Sequence, residues 1–245
     1  MEQHPHPIKL PNNPNYHVRW NEALKGFEIN LENGKLLYIE NFLQKKNTTK
    51  NQILNYFLKN DSHEWQTSNW KEMSTQEFSQ IKFKNIAWKH EKIKLYGKEL
   101  YVPRYSAWYG DEGKSYTYSC LTINPNRWNE GLLQLKKKIE EVVNTNFNSV
   151  LLNWYRDGED YMGWHSDDEK ELGLNPIIAS VNFGASRRFL LRRKDDEKIK
   201  VEIPLKHNTL LVMKGELQHF WKHAVPKEAK VKEHRVNLTF RVIKN

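Results

Sequence analysis

The sequence predicts a mainly β domain with flanking helices (α+β), its strands arranged as a sandwich or jelly roll. From Ser149 onward, apolar residues recur with period two in six short segments. Polar turns separate those segments, with no helical stretch between them. Upstream, only two segments, near 48–58 and 129–144, carry an apolar stripe at helical spacing.

Residues 1–30 open MEQHPHPIKLPNNPNYHVRW and read as a loose N-terminal arm, because Pro and Asn dominate and no apolar signal core is present. Lys35-Leu-Leu-Tyr-Ile-Glu-Asn-Phe-Leu43 reads as a strand entering a turn. Thr48-Thr49 then cap a helix with Ile53, Leu54, Phe57 and Leu58 on one face. Residues 60–110 read as strands and loops, with a hairpin over Ile93–Tyr101 turning near Tyr96-Gly97. A second helix is expected over 129–144, its stripe formed by Leu132, Leu135, Ile139 and Val142. The six later strands are expected at Val150–Tyr155, Ile177–Phe183, Arg188–Arg192, Lys200–Pro204, Thr209–Met213 and Arg235–Val242. This organisation makes one domain: the arm, a supporting and recognition region over 31–148, and a β core over 149–245.

Composition narrows the class. With 9 Trp, 11 Tyr and 10 Phe in 245 residues, the chain can bury a substantial core despite 38% hydrophobic content. Its single cysteine, Cys120, excludes an internal disulfide and a multi-cysteine zinc site, which suits a reducing compartment. No run approaches the roughly 18–20 apolar residues of a membrane span. A cytoplasmic protein (nuclear in a eukaryote), acting as a monomer away from membranes, is therefore expected. The net charge of +9 suits a polyanionic partner, although a lysine-rich composition alone produces the same bias.

Candidate chemistry concentrates between Asn153 and Arg241. His165 and Asp167 lie two apart, so in an extended segment both side chains point the same way, as two adjacent ligands on one metal require. Such a pair also arises as a solvated acidic turn, and Ser166-Asp-Asp-Glu169 has that character. A second imidazole would complete the two-histidine, one-carboxylate set that leaves coordination positions open in non-haem Fe(II) sites. Spacing leaves His219, His223 and His234 all open for that place. In Arg235-Val-Asn-Leu-Thr-Phe-Arg241, alternation sets Val236, Leu238 and Phe240 against a core and turns Arg235, Asn237, Thr239 and Arg241 the other way. Two guanidiniums whose Cα atoms lie roughly 20 Å apart along a strand can approach a small dicarboxylate from opposite ends. Asn153 and Tyr155 share a face of their own strand and add hydrogen-bonding groups. The alternative for the arginines is an exposed edge strand with salt-bridged ends.

Several segments together resemble the AlkB family of Fe(II)- and 2-oxoglutarate-dependent dioxygenases, which repair alkylated nucleobases. They are Pro103-Arg-Tyr-Ser-Ala-Trp-Tyr-Gly110, Tyr116-Thr-Tyr118-Ser119, Asn153-Trp-Tyr155, Trp164-His-Ser-Asp-Asp-Glu169, Pro176-Ile-Ile-Ala-Ser-Val181, Phe183-Gly-Ala185 and the Arg235–Arg241 strand. The likeness runs from about residue 95 to the C-terminus, while the N-terminal third resembles the family only loosely. It implies a double-stranded β-helix, Fe(II) ligation by His165, Asp167 and His223, and 2-oxoglutarate contacts from Asn153, Tyr155, Arg235, Thr239 and Arg241, with O2 as oxidant. Trp221-Lys-His223 before Val225-Pro226 is what selects His223 in that comparison. The resemblance further implies single- or double-stranded alkylated DNA, or RNA, as partner. Tyr116 and Tyr118 would then stack on a flipped cationic base, with Asp168 and Glu169 beside it. Arg104 would contact phosphate or line the lesion pocket, and Tyr96 would fill the gap left in a duplex. Competing readings are the same chemistry on RNA or protein, and a non-catalytic nucleic-acid-binding jelly roll.

Overall fold

The computed structural model describes residues 5–43, 86–95, 98–114, 116–118 and 121–244. The expected helix at 48–58 and the turn residues Tyr96 and Gly97 lie outside them. Three strands open the chain: β1 (His17–Asn21), β2 (Gly26–Leu31) and β3 (Gly34–Ile39). Two short hairpins follow, β4 (Lys92–Leu95) with β5 (Lys98–Tyr101), and, beyond β6 (Tyr105–Gly110), β7 (Tyr116–Tyr118) with β8 (Leu121–Ile123). Helix α1 (Glu130–Val143) leads to β9 (Ser149–Tyr155), β10 (Met162–His165), β11 (Ile178–Gly184), β12 (Arg187–Arg193), β13 (Lys200–Leu205) and β14 (Thr209–Lys214). A single-turn helix α2 (Leu217–Phe220), β15 (Trp221–Val225) and β16 (Arg235–Arg241) complete the chain.

Two antiparallel sheets form the jelly roll. The larger runs β1-β2-β3-β14-β11-β16-β9-β6 and the smaller β10-β15-β12-β13. Apolar side chains between them, among them Tyr38, Ile178 and Met213 from one sheet and Phe189, Leu191 and Val201 from the other, make one core. On its opposite face the larger sheet packs on α1 through Leu152, Val236, Leu238 and Phe240. Because β16 lies between β11 and β9, every one of its seven residues is buried. The edge-strand alternative for its arginines is thereby excluded.

Helix α1 forms where its caps and stripe agree. The side chain of Asn129 accepts the backbone N–H of Leu132, and Asn144 ends the helix in the left-handed region at φ 53. Leu132, Leu135, Ile139 and Val143 are its buried positions. The step from Ile139 is four residues rather than three, which leaves Val142 at the margin of the core.

The expectation of a loose arm over 1–30 is corrected. Residues 17–31 form the β1–β2 hairpin and extend the larger sheet beyond β3. Phe27, Ile29 and Leu31 point inward with period two, and Glu32-Asn33 make the two-residue loop to β3, with Asn33 at φ 56. That alternation, followed by Asn33-Gly34, was a hairpin signal masked by the Pro- and Asn-rich opening.

The connections that frame the site are fixed by buried polar contacts. Arg187 donates to the carbonyls of Asp157, Asp160 and Pro226, tying the segment after β9 to the segment after β15. Gly158 sits at the contact, where a Cβ would lie 1.8 Å from the carbonyl oxygen of Glu228. Any side chain there would push the two segments apart. Among the described residues no helix is long and apolar enough to cross a membrane.

Candidate active site

Strands β10 and β15 pair so that His165 lies directly opposite His223, and their ring centroids stand 4.1 Å apart. Asp167, two residues beyond His165, brings its carboxylate 3.9 Å from Nε2 of His165 and 4.0 Å from Nε2 of His223. The three ligand atoms all lie within 4.8 Å of one another. A metal held at roughly 2.0–2.2 Å by each ligand requires ligand atoms about 3–4 Å apart, so the donor set fits a first-row divalent ion.

The surroundings prepare these donors. Nδ1 of His165 lies 2.9 Å from the carbonyl of Gly163, so it carries the proton and leaves the Nε2 lone pair facing Asp167. Burial, reinforced by neighbouring His165, pushes the pKa of His223 down to about 3 and keeps it neutral, as a ligand must be. Burial alone would raise the pKa of Asp167. The Arg241 guanidinium, donating to it at 2.9 Å, overrides that and holds it at about 2.

At the far end of the same pocket stands Arg235, 1% exposed. Its Nη2 donates to Asn182 Oδ1, while Nε and Nη1 have no hydrogen-bond partner among the described residues. Burial lowers its pKa to about 10, so it stays cationic at neutral pH. A buried guanidinium with open donors calls for an anion. Its carbon lies 4.8 Å from the centroid of the Tyr155 ring, which forms a wall for whatever binds there. Asn153 and Thr239 complete the pocket, Asn153 accepting from Arg104 Nε at 2.9 Å and Thr239 donating to Asn237 Oδ1 at 3.0 Å. Every residue expected to hold metal or 2-oxoglutarate therefore lines one cavity between the sheets.

Expectations for the substrate residues fare differently. Arg104 is buried and its Nε donates to Asn153, so it orients a pocket residue. Asp168 faces outward and pairs with Lys194 at 3.0 Å, while Glu169 immediately precedes a short 3-10 turn (Lys170–Leu172). Tyr116 and Tyr118 are the first and last residues of β7, which pairs with β8. Tyr96 is outside the described residues. Of the two other candidate third ligands, His219 is exposed on α2 and His234 precedes β16, and neither lines the cavity.

A profile of the 2OG-Fe(II) oxygenase superfamily matches residues 35–241. The chain belongs to that superfamily. Within it, the relatives of this oxygenase are AlkB homologues. It is 49% identical over 150 residues to alpha-ketoglutarate-dependent dioxygenase alkB homolog 3 of Homo sapiens, covering 58% of this chain and 52% of that protein. It is 42% identical over 159 residues to DNA oxidative demethylase ALKBH2 of Homo sapiens, covering 62% of this chain and 61% of that protein. The aligned part is thus about half to three fifths of each relative's length. The solved structure of OsALKBH1 superposes with a TM-score of 0.54 at 14% identity, over 88% of this chain and 99% of that one, which shows the shared fold. Fe(II) and 2-oxoglutarate, the groups this superfamily uses with O2, fit the donor set and the open Arg235 guanidinium.

Two supporting residues of the oxygenase escaped the sequence reading. Gln218, buried on α2, accepts the backbone N–H of Asp167 through Oε1 at 2.9 Å. Asn182 holds Arg235 from β11, where Ser180 and Asn182 alternate with apolar residues, a polar face that periodicity alone could have flagged. Gln218→Leu is expected to weaken Fe(II) affinity by about 10-fold or more, as lost support around a ligand typically does, and direct metal titration checks it.

The buried histidines also set an acid limit. Burial lowers the pKa of His234 from 6.5 to about 4. The unfolded chain therefore binds a proton that the folded chain refuses between those values, and stability falls as pH drops through that window. At pH 4 the loss reaches up to about 3 kcal/mol for this residue. Thermal melts of the metal-free protein should show a shallower acid limb in His234→Asn.

Proposed function

We propose that this oxygenase oxidatively demethylates N-alkylated bases of the 1-methyladenine and 3-methylcytosine type in DNA, releasing the methyl carbon as formaldehyde and converting 2-oxoglutarate and O2 to succinate and carbon dioxide. The observation that carries this reading is the single cavity joining a two-histidine, one-carboxylate cluster to a buried arginine with open donors. The substrate class is supported by relatives named as a DNA oxidative demethylase and an alkB homolog.

When bound, Fe(II) and 2-oxoglutarate supply the oxidation of a methyl C–H bond by O2. The protein's part is placement and exclusion. His165, Asp167 and His223 would hold the metal. Arg235 would take one carboxylate of 2-oxoglutarate against the Tyr155 ring, with Thr239 and Asn153 beside it. Arg241 neutralises Asp167 and keeps it ionised as a ligand. Leu151, Met162 and Phe189 line the remaining wall with apolar surface and limit water near the reacting centre. No general base is needed.

A base inside a duplex must be flipped out to reach this cavity. In this reading the β4–β5 and β7–β8 hairpins form the recognition lid, Tyr116 and Tyr118 stack on the base, and residues 149–245 are the catalytic core. The protein acts as a monomer in the cytoplasm or nucleus. The experiment is a repair assay on 3-methylcytosine in single-stranded DNA, duplex DNA and RNA. Repair of DNA with matching formaldehyde release is expected. Turnover confined to RNA or to a protein substrate would displace this reading.

A further inference from the structure

The end of β12 and the turn after it carry three cations in a row, and the first two pair with carboxylates of that turn. Arg192 pairs with Glu197 at 2.8 Å, and Arg193 with Asp195. Lys194 is different. Its Nζ reaches across to the segment after β10 and pairs with Asp168 Oδ2 at 3.0 Å.

Two further contacts fix Lys194 in place. Its Nζ donates to the carbonyl of Gln218 at 2.9 Å, and its backbone N–H donates to the carbonyl of Phe220 at 2.9 Å. The residue that receives the ammonium through its backbone, Gln218, is the one whose side chain holds the N–H of Asp167. Lys194, α2 and the His165–Asp168 segment are thus one braced unit. Within it, neighbouring carboxylates face opposite ways: Asp167 is buried toward the imidazoles, while the side chain of Asp168 is 48% exposed. His165 is the ligand with an open edge, its side chain 24% exposed, so the metal site meets solvent on the strand that leads to Asp168.

The proposed substrates differ in charge. A 3-methylcytosine or 1-methyladenine base is cationic as formed, whereas 3-methylthymine is neutral. A free carboxylate beside the metal ligands would favour the cations, and a paired one favours them less. We propose that Lys194 is a specificity-determining residue: by pairing with Asp168, next to the ligand Asp167 on the solvent side of the metal site, it levels the preference between cationic and neutral N-alkylated bases. This rests on the nucleobase reading above. Lys194 acts through Asp168 and is a positioning residue, not a catalytic one.

The test measures kcat/KM for 3-methylcytosine and 3-methylthymine in the same single-stranded oligonucleotide. Lys194→Met is expected to raise the cation-to-neutral ratio by roughly two- to fivefold, with the gain shrinking at high salt. Lys194→Arg should restore the original ratio. In Asp168→Asn, adding Lys194→Met should change the ratio no further. Equal changes for both bases, or the same ratio shift with Asp168 already neutral, would overturn the inference and leave the nucleobase reading standing. A wild-type protein that consumes 2-oxoglutarate yet repairs neither base overturns the nucleobase reading, and this inference with it.

Discussion

His223→Ala is expected to abolish Fe(II)-dependent succinate formation, while His219→Ala keeps the wild-type rate. His223 stands opposite His165 on paired strands and supplies one of three ligand atoms within 4.8 Å of each other. His219, four residues earlier, is exposed on α2 and lines no part of the cavity. Loss of a hydrogen bond that merely supports a ligand already costs about 10- to 100-fold, so loss of the ligand itself should lower Fe(II) affinity by more than about 100-fold. Metal titration and succinate release should fall together. The fold should survive, because removing a buried imidazole whose protonation burial already opposes costs mainly packing.

Arg235→Met is the second large effect, and its signature is different. The guanidinium is buried with two nitrogens lacking a hydrogen-bond partner among the described residues, an arrangement that costs folding energy until an anion arrives. Removing one partner of a buried ion pair typically costs about 3–5 kcal/mol. The KM for 2-oxoglutarate should therefore rise on the order of 100- to 1000-fold. Fe(II) affinity should hardly move, since Arg235 contacts Asn182 and the Tyr155 ring rather than a ligand. Without 2-oxoglutarate the variant should melt at or above the wild-type temperature, as happens when a site's strained charge is replaced by apolar surface. A melting temperature well below wild type would make Arg235 a structural residue.

The sequence was most legible where one strand or helix carries its own pattern. Strand β16 is an example: strict alternation separated the core residues Val236, Leu238 and Phe240 from the pocket residues Arg235, Thr239 and Arg241, and both sets lie where alternation puts them. Helix α1 was readable for the same reason, its Leu132, Leu135 and Ile139 being buried as their spacing requires. Long-range pairing was not readable. Nothing local says that the short β10 pairs with β15, which is what brings His223 rather than His219 or His234 to His165; the family resemblance had to choose. Gln218 and Lys194 were invisible for a related reason, because their partners at the site lie 51 and 26 residues away. Arg104 was legible as a charge but not as a buried one, and its hydrogen bond to Asn153 spans 49 residues.

The central claim is that one cavity couples 2-oxoglutarate turnover at His165, Asp167 and His223 to repair of an alkylated base. The most direct measurement counts succinate, formaldehyde and restored cytosine together, using a 3-methylcytosine oligonucleotide with wild-type and His223→Ala protein. Equal amounts of all three from wild type, and none from His223→Ala, are predicted. Restored cytosine from the variant at the wild-type rate, or succinate from wild type with no restored base, would contradict it.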